Sequence, residues 1–136
     1  MAVTLNPYLS FRDGAREAME FYQTVFGGDL TVSTFRDLHS DEDASDLDKV
    51  MHSQLVAANG ITLMASDTPK RMEYTPGASI SVSLSGDDEP ALRGYWDGLS
   101  QGATVVEPLT QAPWGDSFGM LVDRFGVNWL VNISAS

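Results

Sequence analysis

One order of elements is written twice along this chain, and that repetition limits the folds open to it more than any single motif does. At Pro7-Tyr8-Leu9-Ser10-Phe11 apolar residues alternate as in a half-buried strand. The period then changes. Ala15, Ala18, Met19, Tyr22, Val25 and Phe26 fall on one helical face, with Asp13 as the predicted N-cap and Gly27-Gly28 as the stop. Residues 30–35 read as a strand. Residues 50–57 and 61–66 read as two more, joined by Ala58-Asn59-Gly60, whose Asn-Gly pair is a strong hairpin signal. Residues 67–77 hold prolines and mixed charges and read as a linker.

The order then restarts. Residues 79–84 alternate, with Ile80, Val82 and Leu84 on one face and Ser79, Ser81 and Ser83 on the other. Asp87 or Asp88 caps a second helix, which tolerates Pro90 in its first turn and turns Leu92, Tyr95, Trp96 and Leu99 inward. A strand over 104–106, a loop over 108–115 holding Trp114, and strands over 118–122 and 127–133 complete the set. The last hairpins of the two halves align without a gap, Leu55-Val56-Ala57-Ala58-Asn59-Gly60-Ile61-Thr62-Leu63-Met64 over Leu121-Val122-Asp123-Arg124-Phe125-Gly126-Val127-Asn128-Trp129-Leu130. The reading is an α+β fold of two tandem βαβββ modules, about 1–72 and 77–136, in a single domain of 136 residues. An unrepeated α+β sandwich is the alternative.

Composition removes whole classes of function. Eight basic residues against nineteen acidic ones leave a net charge of −11, which repels nucleic acid and anionic membranes and favours cationic compounds. The absence of cysteine excludes disulfides, thiolate nucleophiles and zinc–thiolate sites, and it is compatible with the cytoplasm as the predicted location. No apolar run approaches the roughly 18 residues of a membrane span, and no basic segment opens the chain as a signal peptide would. Asp37, Asp41, Glu42, Asp43, Asp46 and Asp48 crowd one stretch, but without the glycine and alternating ligands of a calcium loop. That stretch reads as a solvated loop. No glycine-rich phosphate loop opens a helix, so a nucleotide cofactor and methyl transfer from one are not expected.

Several segments together resemble a known family. Asn6-Pro7-Tyr8-Leu9-Ser10-Phe11, Glu20-Phe21-Tyr22 with Phe26-Gly27-Gly28, Met64-Ala65-Ser66-Asp67, Trp114-Gly115 with Phe118-Gly119, and Asp123-Arg124-Phe125-Gly126-Val127-Asn128-Trp129 are similar to the PhnB-like branch of the vicinal oxygen chelate superfamily. That superfamily includes glyoxalase I, bleomycin-resistance proteins and extradiol dioxygenases. The resemblance implies U-shaped mixed sheets around a cavity, in which enzymes of the superfamily hold a divalent metal by His and Glu on first and last strands. By strand parity those places fall on Asn6 (beside Tyr8 and Ser10), Ser79 (followed by Ser81 and Ser83), Met64 and Leu130. None is a histidine or a carboxylate, and thioether and alkyl groups do not replace them as ligands for hard or borderline ions. No cofactor is therefore predicted and no residue is assigned as a metal ligand. The resemblance also implies a homodimer.

His52, with Gln54 on the same face of its strand, is the candidate catalytic residue, because an imidazole titrates near neutrality and can act as a base or orient a ligand. A surface or dimer-seam histidine is the alternative. Asn6, Tyr8, Ser79, Ser81 and Asn132 point away from the helices, towards a polar cavity. Trp114, Phe118 and Met64 either wall that cavity or, in the case of Trp114, plug it, whereas Trp96 and Trp129 belong to the core. The predicted ligand-binding set is Asn6, Tyr8, His52, Gln54, Met64, Ser81 and Trp114, serving metal-free binding of a small molecule. Two other functions stay open. One is a metal-dependent lyase, isomerase or dioxygenase with His52 in a non-standard metal site; the other is a non-catalytic interaction domain whose cavity is plugged by Trp114 and Met64.

Overall fold

The computed structural model describes residues 3–38, 44–74, 77 and 79–135. In chain order these form β1 (Tyr8–Phe11), α1 (Ala15–Phe26), β2 (Asp29–Thr34), β3 (Val50–Val56), β4 (Thr62–Asp67), β5 (Val82–Gly86), α2 (Glu89–Leu99), β6 (Thr104–Gln111), β7 (Ser117–Val122) and β8 (Asn128–Ile133). A short 3-10 turn lies at Ala44–Asp46. The chain divides into two compact units, Met1–Pro76 and Gly77–Ser136.

Each unit is a four-stranded mixed sheet carrying one helix, with strand orders β1-β4-β3-β2 and β5-β8-β7-β6. In both, the first strand runs parallel to the last, and the remaining neighbours are antiparallel. The hairpins repeat in register: Gln54↔Met64 and Val56↔Thr62 correspond to Met120↔Leu130 and Val122↔Asn128. The chain thus adopts the α+β arrangement of paired βαβββ modules that its repeat predicts.

Helix α1 follows its apolar period. Ala15, Ala18, Met19, Tyr22 and Phe26 are buried, over Leu55, Leu63 and Ala65 of the sheet. A 12-residue helix is marginal alone in water, so these side chains decide it. Full burial of Met19 or Tyr22 contributes about 1.5–3 kcal/mol each. In the second unit Leu92, Trp96 and Leu99 pack towards Leu121, Trp129 and Val131. Trp129 is 1% exposed, and its indole N–H donates to Asp123 Oδ2 at 2.9 Å. Asp123 Oδ1 also accepts the backbone N–H groups of Phe125 and Val127, so one buried carboxylate orders the β7–β8 turn and satisfies the tryptophan.

The structure differs from the sequence reading in four places. Asp13 does not cap α1; the N-cap is Gly14, at φ 108°, and the Ala15 N–H donates to Asp67 Oδ1 at 2.9 Å, from the far end of β4. The second module's first strand begins at Val82, leaving Ile80 outside it and 80% exposed. Pairing of Tyr8 with Met64 and of Ser83 with Leu130 makes Tyr8 and Ser83 equivalents, so Asn6 corresponds to Ser81 and not to Ser79. An alternating Ser-x-Ser-x-Ser run fixes which face is polar but is blind to a two-residue slip, which only pairing with β8 resolves. Strand β6 continues through Pro108 to Gln111, because it is an edge strand with register shifts on both sides of Glu107, where a missing N–H is tolerated.

The acidic stretch is not uniformly solvated either. His39, Asp41, Glu42 and Asp43 lie outside the described residues. Asp46, however, is 1% exposed: Oδ2 accepts the Lys70 N–H at 2.9 Å, and Oδ1 pairs with Lys49 Nζ at 3.1 Å. The Lys70 N–H foremost, with Lys49 adding to it against the opposing effect of burial, holds this carboxyl below the usual carboxylate range.

Candidate functional site

Five of the seven expected ligand-binding residues lie in the first unit. Tyr8 of β1 pairs with Met64 of β4, which pairs in turn with Gln54 of β3. Because successive side chains alternate across a sheet, these three form a row on the face opposite Leu9, Leu63 and Leu55, which point towards α1. His52 stands two residues along β3 on the same face, opposite Ser33 of β2. Tyr8 Oη lies 3.3 Å from His52 Nδ1, with the ring centroids 5.9 Å apart and the planes inclined at 35°. Tyr8 is 49% exposed, while His52, Gln54 and Met64 are half-buried. Asn6 sits just before β1, and its Nδ2 donates to Thr4 Oγ1 at 3.0 Å.

The two candidates of the second unit are not brought together. Ser81 immediately precedes β5, and Trp114 lies on the turn after β6, at opposite edges of that sheet. Trp114 is 68% exposed on a turn closed by the Gly115 N–H to Ala112 C=O, so it does not plug its own unit's sheet. Phe118 and Asn132 do meet across β7 and β8, and Asn132 Nδ2 donates to Asp116 Oδ2 at 3.2 Å.

The donor set can be tested for the superfamily's divalent metal. First- and last-strand partners in the two units are Tyr8 with Met64 and Ser83 with Leu130. A phenol, a thioether, a hydroxyl and an alkyl group do not make an oxygen or imidazole shell. Among the described residues no group of three or more His, Asp or Glu side chains is placed to hold an ion. The residues present do not fit that metal.

A concavity of about 450 Å³ lies one step along the same face, where β1 and β4 end. Ser10 and Ser66, a directly paired couple, line it together with Phe35, Met51, Thr68 and the segment 69–74. Sequence reading took that segment for a linker, since it has neither period. The one available signal was an apolar content (Pro69, Met72, Tyr74) unusual for a solvated connection. Arg12 holds it: Nη1 donates to Pro69 C=O at 3.5 Å and Met72 C=O at 3.4 Å, and the guanidinium lies 5.4 Å from the Tyr74 ring centroid.

A family model described as 3-demethylubiquinone-9 3-methyltransferase matches residues 3–132. The chain belongs to this PhnB-like family. Protein PA1353 from Pseudomonas aeruginosa is similar over 98% of both chains, at 36% identity and a TM-score of 0.83. The PhnB protein of Bacillus cereus is 25% identical over 97% of this chain and all of its own, at a TM-score of 0.72. A glyoxylase/bleomycin resistance protein/dioxygenase domain from Frankia sp. EAN1pec shares the fold alone, at 14% identity and a TM-score of 0.64 over 98% of each chain. The PhnB-like chain thus has the glyoxalase/bleomycin resistance fold.

Proposed function

We propose that this PhnB-like protein binds a small organic molecule through the α1-distal face of its first sheet, at Tyr8, His52, Gln54 and Met64, without the superfamily's usual metal, and works as a homodimer. The observation that carries the reading is the Tyr8–His52 contact. Two polar groups 44 residues apart in sequence meet on the sheet face opposite the one that α1 packs against. Surrounding them with a thioether and an amide gives the mixture of apolar wall and few oriented polar groups that small-molecule sites use. The open edges β1 and β2 of the sheet support self-association.

Methyl transfer is not carried over from the family's description. Helix α1 opens on Gly14 alone and α2 on Gly86-Asp87-Asp88, and neither is a glycine-rich phosphate cradle.

The test is a screen of drug-sized cationic and neutral compounds against protein labelled at methionine methyl carbons. Hits that shift the Met64 methyl, and lose affinity in His52→Ala, support the reading. Hits that never involve Met64, or are indifferent to His52→Ala, sink it. The Tyr8 Oη–His52 Nδ1 pair also suits a second reading, an enzyme in which His52 moves a proton. Near-stoichiometric Ni²⁺, Zn²⁺, Mn²⁺ or Fe²⁺ that survives gel filtration in the parent and disappears in His52→Ala would favour that enzyme in its metal-dependent form.

A further inference from the structure

We infer that the concavity at the ends of β1 and β4 is a second binding site, selective for uncharged aromatic molecules that carry a hydroxyl or carbonyl group. Its volume of about 450 Å³ falls within the roughly 300–1,000 Å³ of small-molecule clefts. The walls are Phe35, Met51, Pro69, Met72 and Tyr74, rings and thioethers that favour an aromatic guest. Met51 and Met72 are 41% and 48% exposed, leaving large apolar side chains to water where a guest would cover them.

The floor supplies the polar edge. Ser10, Ser66 and Thr68 present hydroxyls there, and none of the side-chain hydrogen bonds described among these residues engages them. A hydroxyl both donates and accepts, so the complement is an alcohol or a carbonyl. Of the charged groups in the lining, Asp67 has committed Oδ1 to the Ala15 N–H and Oδ2 to the Val50 N–H, both at 2.9 Å, and the other two, Arg71 and Glu73, are of opposite sign.

That segment is held from two sides, by Arg12 beneath it and by the Asp46 carboxylate, which accepts the Lys70 N–H. None of the residues invoked here belongs to the Tyr8 row, and the inference stands without the preceding one.

Titration of methionine-methyl-labelled protein with 2-naphthol tests it. Saturable shifts largest at Met51 and Met72, with fully buried Met19 unmoved as the report of an intact fold, are expected. Ser66→Leu abolishes them by filling the floor, and Arg12→Ala weakens binding about tenfold by releasing the wall. Naphthalene-2-sulfonate and a naphthyl trimethylammonium salt bind more weakly. Shifts largest at Met64 would overturn this inference while favouring the Tyr8 row. Silence at every methyl, persistence in a folded Ser66→Leu variant, or equal binding of the charged analogues would overturn it outright.

Discussion

The carboxylate of Asp67, the last residue of β4, accepts the backbone N–H of Ala15, the first residue of α1, at 2.9 Å across 52 positions of sequence. Its other oxygen accepts the Val50 N–H at the start of β3, so one side chain caps the helix and ties it to two strands. An unsatisfied buried N–H costs about 1–3 kcal/mol. Asp67→Ala strands two of them and is expected to lower stability by more than Asp67→Asn, which keeps one acceptor. Urea denaturation of the three proteins measures this, and equal midpoints for Asp67→Ala and the parent would contradict the capping role.

Gly119, in the middle of β7, has no room for a side chain. A Cβ there would lie 2.8 Å from Trp96 Cη2 and 2.9 Å from Leu109 Cα, one of them backbone. Gly119→Ala should therefore destabilise by about 1–3 kcal/mol, the usual cost of overpacking, against a small gain in strand preference. Thermal melting settles it, with Gly94→Ala as the comparison, since a Cβ at Gly94 meets nothing within 4 Å.

Asp46 should make part of the stability pH-dependent. Its carboxyl titrates below the ordinary range because the Lys70 N–H, and after it Lys49, favour the ionised form. A group whose folded pKa is depressed stabilises fully above its unfolded value, about 3.9 for aspartate, and that contribution is lost as pH falls through the folded value. Urea midpoints at pH 7 and pH 3 should thus converge more in Asp46→Asn than in the parent. An unchanged acid sensitivity in the variant would remove this pair from the account.

Tyr8 and His52 predict a tautomer. The contact admits either direction; the expected arrangement has the Tyr8 O–H donating to Nδ1, which leaves the proton of neutral His52 on Nε2. Tyr8→Phe removes the donor, so imidazole ¹⁵N shifts above pH 8 should move towards a mixture of tautomers. Identical ¹⁵N shifts in the two proteins would mean that the 3.3 Å contact does not organise the ring.

Much of this fold was legible in the linear pattern. The Asn59-Gly60 turn, with φ of 64° and 73°, the α1 and α2 faces, Asp88 as cap and the buried positions of Trp96 and Trp129 all follow from local period and backbone sterics. These depend on residues a few positions apart, and a sequence displays such relations directly. Tyr8, His52, Gln54 and Met64 follow from the family resemblance together with strand parity, and parity is enough to assign a face.

What parity cannot supply is register between strands distant in the chain. The Ser81–Asn6 correspondence, the meeting of Tyr8 with His52 and the pairing of Ser10 with Ser66 all depend on how β1, β3 and β4 slide past one another in the first sheet and β5 past β8 in the second. Those offsets are chosen by the packing of whole sheets against α1 and α2, an energy summed over many side chains. The same reason hid Asp67 as a cap, Asp46 as a buried anchor and the 69–74 segment as a wall. Each acts on a partner that only the folded chain brings near, so its role belongs to the tertiary structure, while element type and facing belong to the sequence.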